Sequence, residues 1–194
     1  MSTLHNRRRS SSAVRILITG GPGTGKSTLL AALAAAGEVC FEEASRTLIR
    51  EQLASDGRKV PWGDLWDFAQ ECSVRMRDQI DRSAAGGVSF FDRGLPDLMG
   101  YLAHGGQHSP NAWQTASHVY ARVAFFAPPW SQIFVNDPER PQSFSEACAL
   151  SSHIRAAYES CGITLVELDR AAVNVRVAQV LNHLGANQYH LRHG

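Results

Sequence analysis

The sequence lacks an apolar run long enough to cross a bilayer. Its longest runs, at residues 29–36 and 123–127, are far shorter than the roughly 20 residues that a transmembrane helix needs. No apolar segment follows the Arg- and Ser-rich residues 1–15, so these residues do not have the pattern of a secretory signal. We therefore do not expect a membrane protein.

Cysteine is scarce, and its spacing carries no metal pattern. The chain has four cysteines, with no Cys-x-x-Cys pair and no histidine nearby at the spacing of a zinc site. Disulfides are rare in reducing compartments, where such thiols stay free. We expect free cysteines, no zinc site and a cytoplasmic protein.

An excess of one charge is missing as well. Lysine and arginine number 19 against 18 acidic residues, a formal net charge of +1, so the composition gives no general attraction to nucleic acid. A length of 194 residues suits one well-buried domain and is short for two. We expect a disordered basic leader at 1–12, one domain at 13–186 and a tail at 187–194, in an oligomeric state that the sequence leaves open.

Apolar segments alternate with amphipathic ones, which is typical of helices wound around a parallel sheet. The predicted strands are residues 14–19, 38–41, 88–91, 123–126 and 163–168. Four helices are predicted at residues 26–36, 44–54, about 64–83 and 98–104. A fifth begins at Pro110 with Ser109 as its N-cap, and a sixth runs from a capping box at 143–146 toward residue 160. The last begins at about residue 172 and ends at Gly185. The sequence therefore predicts an α/β fold with a five-stranded parallel sheet.

What the chain does have is a glycine-rich turn between the first strand and the first helix. The segment GGPGTGKS, residues 20–27, matches the pattern GxxxxGK[ST] in full. Glycines let the loop turn its amides inward as a nest for anionic oxygens, and the helix N-terminus adds partial positive charge. Lys26 then serves the β- and γ-phosphates of ATP, and Ser27 offers a hydroxyl to Mg²⁺. The predicted ATP-binding residues are Gly21, Gly23, Thr24, Gly25, Lys26, Ser27 and Thr28.

An acid ends the strand predicted at 88–91. The segment VSFFD, residues 88–92, has the form of a Walker B strand, whose carboxylate reaches the metal. We predict that Asp92 binds Mg²⁺ as a catalytic residue; the alternative is a helix cap. Arg93 stands where ring-forming mechanical ATPases usually carry a second acid, and the Asp-Arg pair resembles that of the small-molecule P-loop kinases. That resemblance implies that Arg93 holds the acceptor or a phosphate.

A GTPase pattern is incomplete in this chain. Residues 97–100, DLMG, match DxxG, but they lie beyond the end of the predicted strand. The base-reading pattern NKxD does not occur anywhere. We therefore do not expect a GTPase.

Acids followed by an arginine close the second predicted strand. In the segment FEEASR, residues 41–46, Glu43 is placed to orient an acceptor hydroxyl or to take its proton. Arg46 lies one helical turn further on and would face the same cleft as a substrate-binding residue. The alternative is that the acids only complement the dipole of the helix that begins there.

The polar segment NDPERP, residues 136–141, separates the fourth strand from a capped helix. Kinases of this fold carry a lid at that place, with arginines that close over the transferring phosphoryl group. We predict a lid around 136–146 with Arg140 as a catalytic residue; the alternative is a plain surface loop. The tryptophans that could include an acceptor-stacking platform are Trp62, Trp66, Trp113 and Trp130.

The order of these motifs resembles that of the predicted AAA-type ATPases and P-loop kinases related to the ribosylnicotinamide kinase domain. The shared pattern is a P-loop at 20–27, EASR at 43–46, FFDR at 90–93, PPW at 128–130, DPER at 137–140 and Tyr158. The resemblance implies ATP and Mg²⁺ as cofactors. It also implies a P-loop NTPase fold, which is a three-layer sandwich with helices on both faces of the sheet and a helical lid.

These expectations leave two functions open. One is a Mg²⁺-dependent kinase that transfers the γ-phosphoryl group of ATP to a small, hydroxylated, nucleoside-like acceptor. The other is an ATP-hydrolysing switch or partner-binding ATPase without such an acceptor. The acceptor cannot be named from the sequence.

The lid predicts a separation of rate from affinity. Arg140→Ala and Arg140→Lys should both lower kcat at least about tenfold with nearly unchanged ATP affinity. An arginine delivered late to the phosphoryl group contributes about 10³ to 10⁵ in rate, and lysine lacks its planar two-pronged geometry. Steady-state kinetics and a nucleotide titration check this. A wild-type rate in Arg140→Ala would mean that the loop is no catalytic lid.

Overall fold

A computed structural model describes residues 13–83, 87–135 and 141–186. In these residues the strands form a five-stranded sheet in the order β2-β3-β1-β4-β5, with every pair parallel. The strands are β1 (Val14–Thr19), β2 (Val39–Phe41), β3 (Val88–Asp92), β4 (Val123–Phe126) and β5 (Thr164–Glu167). The predicted five-stranded parallel sheet is confirmed.

Helices connect the strands and cover both faces of the sheet. They are α1 (Lys26–Ala35), α2 (Ala44–Ala54), α3 (Leu65–Arg82), α4 (Leu95–His104), α5 (Asn111–Ala116), α6 (Phe144–Ser160) and α7 (Val173–Ala186). Among the described residues, no helix combines the length and the apolar character that a membrane span requires.

The side chains of β1 show why the sheet is covered on both faces. Successive residues of a strand point to opposite faces. Ile16 and Ile18 belong to a buried cluster with residues of α1 and α7, whereas Leu17 belongs to a second cluster with residues of α2 to α6. All three are at most 1% exposed, and full burial of such a side chain stabilises the fold by roughly 1.5–3 kcal/mol. The result is the predicted three-layer sandwich.

Strand order brings the predicted functional segments to one edge of the sheet. The carboxyl ends of parallel strands meet at the same edge, where ligands bind in open α/β sheets. The glycine-rich loop follows β1, Arg93 follows β3, and Glu43 follows β2. Because β3 lies between β1 and β2, these segments come together in the fold.

Helix boundaries differ from the sequence expectation at three places. Helix α4 begins at Leu95 rather than at residue 98, because Pro96 suits a first turn and the Asp97 carboxylate accepts a hydrogen bond from the Gly94 N–H at 2.9 Å. Pro110 is the N-cap of α5 and not its first residue. Gly185 lies inside α7, which continues to Ala186, so it does not end that helix.

The predicted lid is described only in its last part. Residues 136–140, which include Arg140, lie outside the described residues, as do the leader at 1–12 and the tail at 187–194. From Ser143 onward the capping box is confirmed. The Ser143 Oγ accepts from the Glu146 N–H at 3.2 Å, and the Glu146 carboxylate accepts from the Ser143 N–H at 2.7 Å.

Replacing Gly100 or Gly185 by alanine should change the stability of the fold in opposite directions. A Cβ on Gly100 would lie 2.6 Å from the Cα of Ile154 on α6, so Gly100→Ala should force α4 and α6 apart and lower the free energy of unfolding by about 1–3 kcal/mol. A Cβ on Gly185 would meet no atom of the described residues within 4 Å, so Gly185→Ala should raise the free energy of unfolding by about 0.5–1 kcal/mol. Urea titrations of both variants check this. Equal effects of the two substitutions would contradict the close packing of α4 on α6.

Candidate functional site

The glycine-rich loop has a backbone that side chains would obstruct. Gly23 and Gly25 have φ of 72° and 78°, in the left-handed region that favours glycine. A Cβ on Gly23 would also lie 2.6 Å from the ring of Phe134. The loop therefore needs glycine for both its turn and its close contacts, as the motif predicts.

Lys26 begins α1 and lies over the loop. Its side chain is buried, and its Nζ donates to the carbonyl oxygen of Gly21 at 2.7 Å and contacts the Thr24 Oγ1 at 3.4 Å. Burial and the nearby Arg93 lower the pKa of Lys26 to about 8, although neighbouring acids act in the opposite direction. A pKa of about 8 leaves most of the amine charged at neutral pH, so Lys26 retains the charge that a phosphate requires.

Ser27 and Asp92 form the predicted metal pair. The Ser27 Oγ donates to the Asp92 Oδ2 at 3.2 Å, and no described residue donates to the buried Oδ1 of Asp92. Burial and the charge of Glu43 raise the pKa of Asp92 to about 6. A buried carboxylate oxygen without a donor beside a hydroxyl is a donor set that suits Mg²⁺, which prefers oxygen ligands. These residues therefore fit the ion.

A larger protein-derived metal cluster is absent from the described residues, which hold no group of three or more His, Cys, Asp and Glu side chains placed for a metal. Mg²⁺ is commonly bound through one or two carboxylates together with substrate phosphates. The pair of Ser27 and Asp92 is consistent with that mode of binding.

Arg93 lies on the floor of the site in a strained backbone. Its φ is 73°, which is uncommon for a residue other than glycine and concentrates at functional positions. The guanidinium donates from Nε to the Glu43 Oε1 at 2.8 Å and from an Nη to the carbonyl oxygen of Gly20 at 2.9 Å. It also lies 5.5 Å from the ring centre of Tyr101. Arg93 thus links the ends of β2, β3 and the loop.

The buried carboxylate of Asp97 accepts a hydrogen bond from Arg93 and fixes its position. Its Oδ1 accepts from the Thr19 hydroxyl at 2.6 Å and from an Arg93 Nη at 3.1 Å. Its Oδ2 accepts from the Gly94 N–H at 2.9 Å and from the Tyr158 hydroxyl at 2.6 Å. The side chain is fully buried. One carboxylate therefore ties together the end of β1, the start of α4 and helix α6.

Glu43 precedes α2 and faces the loop. Its Oε1 accepts from the Ser45 hydroxyl at 2.6 Å as well as from Arg93. Burial alone raises the pKa of Glu43, but the positive charges of Arg93 and Lys26 outweigh burial and bring it to about 2. A carboxylate with such a low pKa is a weak base. It is better suited to orient a hydroxyl by accepting its hydrogen bond than to remove its proton.

Two of the spaces beside the loop are lined by several of its residues. The first, which we call the inner cleft, encloses about 720 Å³ when the open solvent at its mouth is included. Its walls include Lys26, Ser27, Glu43, Arg46, Arg93, Phe68 and Tyr101. The second, which we call the outer recess, is lined by the loop, by Trp130, Ile133 and Val135, and by Val173 and Arg176 of α7. Thr28 lines both spaces.

The structure gathers most of the predicted site residues around this loop. Gly23, Gly25 and Thr28 line both spaces, while Gly21 and Thr24 lie within the loop, where the Thr24 hydroxyl donates to the Gly21 carbonyl oxygen at 3.0 Å. Arg46 lines the inner cleft beside Glu43. Arg140 is outside the described residues.

The tryptophans do not supply an acceptor platform in the inner cleft. Trp113 belongs to the core, Trp62 and Trp66 are 44% and 41% exposed, and Trp130 lines the outer recess. The aromatic walls of the inner cleft are Phe68 and Tyr101 instead, which sequence reasoning missed. Both lie on helical faces where the apolar spacing indicates only burial.

Comparisons with known proteins agree with this geometry. A family model described as AAA domain matches residues 15–176, and no curated protein sequence matches. Among solved structures, deoxyadenosine kinase from M. mycoides with bound dATP is similar with a TM-score of 0.64 and 14% identity, over 89% of this chain and 99% of that chain.

Two further solved structures are similar over most of their length. Thymidylate kinase from Candida albicans has a TM-score of 0.60 and 14% identity, over 92% of this chain and 94% of that chain. Shikimate kinase from Acinetobacter baumannii, in complex with shikimate, has a TM-score of 0.58 and 16% identity, over 92% and 96%. At these identities the likeness shows the fold, which is that of P-loop kinases.

The contacts of Asp97 predict a large loss of stability when its charge is removed. Asp97→Asn leaves a buried Arg93 without one of its anions and turns an amide group toward hydrogen-bond donors, which should cost about 3–5 kcal/mol. Tyr158→Phe removes one hydrogen bond and should cost about 1 kcal/mol. Denaturant unfolding measures both.

A matched control is Asp78→Asn, because Asp78 pairs with Arg82 in side chains that are 66% and 62% exposed. That variant should stay within about 0.5 kcal/mol of the wild type. If Asp97→Asn also stays within that range, Asp97 does not hold the site together.

Proposed function

Because the chain belongs to a family of AAA domains and has the fold of P-loop kinases, we propose that it is an ATP-dependent kinase. In this proposal it uses Mg²⁺ to transfer the γ-phosphoryl group of ATP to a small hydroxylated acceptor. The observation that carries the proposal is the inner cleft, where Lys26 and Ser27 of the phosphate-binding loop share one space with Glu43 and Arg93. Groups for a phosphate donor and for a hydroxyl acceptor thus face each other.

The loop and α1 bind the nucleotide. Its amides and Lys26 hold the phosphates, since both offer hydrogen-bond donors with positive charge. Ser27 and Asp92 would hold Mg²⁺, which would neutralise phosphate charge. The outer recess, with its apolar walls Trp130 and Ile133, receives the base of the nucleotide.

The acceptor binds in the inner cleft. Ser45 and Arg93 both donate to the Oε1 of Glu43. In this proposal the Oε2 of the same carboxylate orients an acceptor hydroxyl toward the phosphoryl group. Phe68 and Tyr101 supply ring faces, and the names of the thymidylate and deoxyadenosine kinases support a nucleoside-like acceptor.

The remaining charged groups take supporting roles in the proposal. Arg46 and Arg93 hold an anionic or polar part of the acceptor, and Arg140 closes over the phosphoryl group from a lid at 136–146. The kinship with the ribosylnicotinamide kinase domain, the organisation into leader, domain and tail, and a cytoplasmic location stay predictions.

A panel of nucleosides and other hydroxylated metabolites tests the proposal through acceptor-dependent ATP consumption. One acceptor class should stimulate turnover strongly, and Lys26→Ala should abolish it. Glu43→Gln should lower kcat at least about tenfold with nearly unchanged ATP affinity, because Glu43 acts on the acceptor. The product is identified by mass spectrometry.

The matched control is Glu42→Gln, because Glu42 is the neighbouring acid and is exposed; its kinetics should equal those of the wild type. Uniformly slow ATP hydrolysis with every metabolite would overturn the kinase and favour an ATP-hydrolysing switch. A wild-type kcat in Glu43→Gln would remove Glu43 from the acceptor site.

A further inference from the structure

Arg176 is a buried arginine without an ion pair among the described residues. Its side chain lies on α7 and is 4% exposed. One Nη donates to the carbonyl oxygen of Thr24 at 3.1 Å, and the buried Nε has no hydrogen-bond partner within residues 13–83, 87–135 and 141–186. A buried guanidinium is costly unless its donors and its charge are compensated. Within the described residues, the Nε of Arg176 therefore lacks an acceptor and its charge lacks an anion.

Arg93 is a second buried arginine of this chain, and ion pairs compensate its charge. Arg93 is 3% exposed, close to the value of Arg176, but it forms ion pairs with Glu43 at 2.8 Å and Asp97 at 3.1 Å. Burial lowers the pKa of Arg176, and no acid in the described part of the chain opposes that effect. Burial alone thus does not explain why Arg176 lacks an anion.

The position of Arg176 indicates which anion would neutralise its charge. A Cβ on Gly25 would lie 2.9 Å from an Arg176 Nη, so the guanidinium rests against the backbone of the phosphate-binding loop. The side chain also lines the outer recess beside Ile133. A planar guanidinium is well matched to phosphate oxygens, and the loop at this point is built to bind them.

We propose that Arg176 is a further nucleotide-binding residue, whose Nε–H donates to a phosphate oxygen of the nucleotide held by the glycine-rich loop. Its Nη remains on the Thr24 carbonyl oxygen, so a bound phosphate is connected through Arg176 to α7. This inference rests on the nucleotide binding of the proposed function, but it does not require that phosphoryl transfer takes place.

Equilibrium titrations of the full chain with ATP and with inorganic tripolyphosphate, each with Mg²⁺, test the proposal. Arg176→Gln should weaken both ligands about tenfold or more, because it removes a charged donor to phosphate. Arg176→Lys keeps a charge near the Thr24 carbonyl oxygen but lacks the Nε, and it should weaken both ligands as well. If Arg176→Gln does not fold, as judged by thermal unfolding, Arg176→Lys decides.

The control is Arg170→Gln. Arg170 is exposed, and its Nε donates to the Pro129 carbonyl oxygen at 3.0 Å, so it belongs to the same region without lining the recess. This variant should bind both ligands as the wild type does.

The outcomes separate this inference from the kinase. Wild-type affinity of a folded Arg176 variant for both ligands would overturn the inference. Weaker ATP binding with unchanged tripolyphosphate binding would also overturn it, because Arg176 would then contact the base and not a phosphate. If the wild type binds ATP but no acceptor is phosphorylated, the kinase fails and the titrations still decide the role of Arg176.

Discussion

The carboxylate of Asp97 is the constraint on which the site depends. It fixes the Arg93 guanidinium and the end of β1 through Thr19, and it reaches α6 through Tyr158. Arg93 in turn holds Glu43 and the Gly20 carbonyl oxygen at the start of the glycine-rich loop. The loop, the strand ends and the acid of the inner cleft are therefore positioned through one buried hydrogen-bonded network. A buried polar network makes the fold rigid when all of its polar atoms are hydrogen-bonded, and both carboxylate oxygens of Asp97 are hydrogen-bonded.

Charge compensation differs among the buried ionisable groups, and the differences follow their proposed roles. Glu43 is compensated so fully that its pKa falls to about 2, whereas Asp92 keeps a donor-free oxygen and its pKa rises to about 6. Arg176 has no acid beside it at all among the described residues. Perturbed groups of this kind cluster at functional sites. Among the described residues, the uncompensated side chains Asp92 and Arg176 lie next to the glycine-rich loop, where the proposed Mg²⁺ and phosphate would bring the opposite charge.

Features that depend on a short local pattern could be predicted from the sequence, whereas features that depend on contacts between distant residues could not. The loop at 20–27 could be predicted because its glycines and Lys26 stand in one short motif, and the strands could be predicted from their apolar runs. Asp97 looked like part of an incomplete GTPase pattern, although Pro96 before it was a helix-start signal that could have placed α4 correctly. Arg176 gave no such signal, because its partner Thr24 lies 152 positions away along the chain. A single sequence does not specify pairings of that range.

The arrangement of acids in the inner cleft also bears on the choice between transfer and hydrolysis. An enzyme that activates water needs a carboxylate or another base that is free to polarise it. Here Glu43 is held by Arg93 and Ser45, and Asp92 contacts Ser27 in a position that suits Mg²⁺. Phosphoryl transfer with a loose transition state asks mainly for positioning and charge stabilisation. In the proposed function, a Glu43 that is held by Arg93 and Ser45 positions a hydroxyl without being a strong base, so the charge pattern of the cleft favours an acceptor over water.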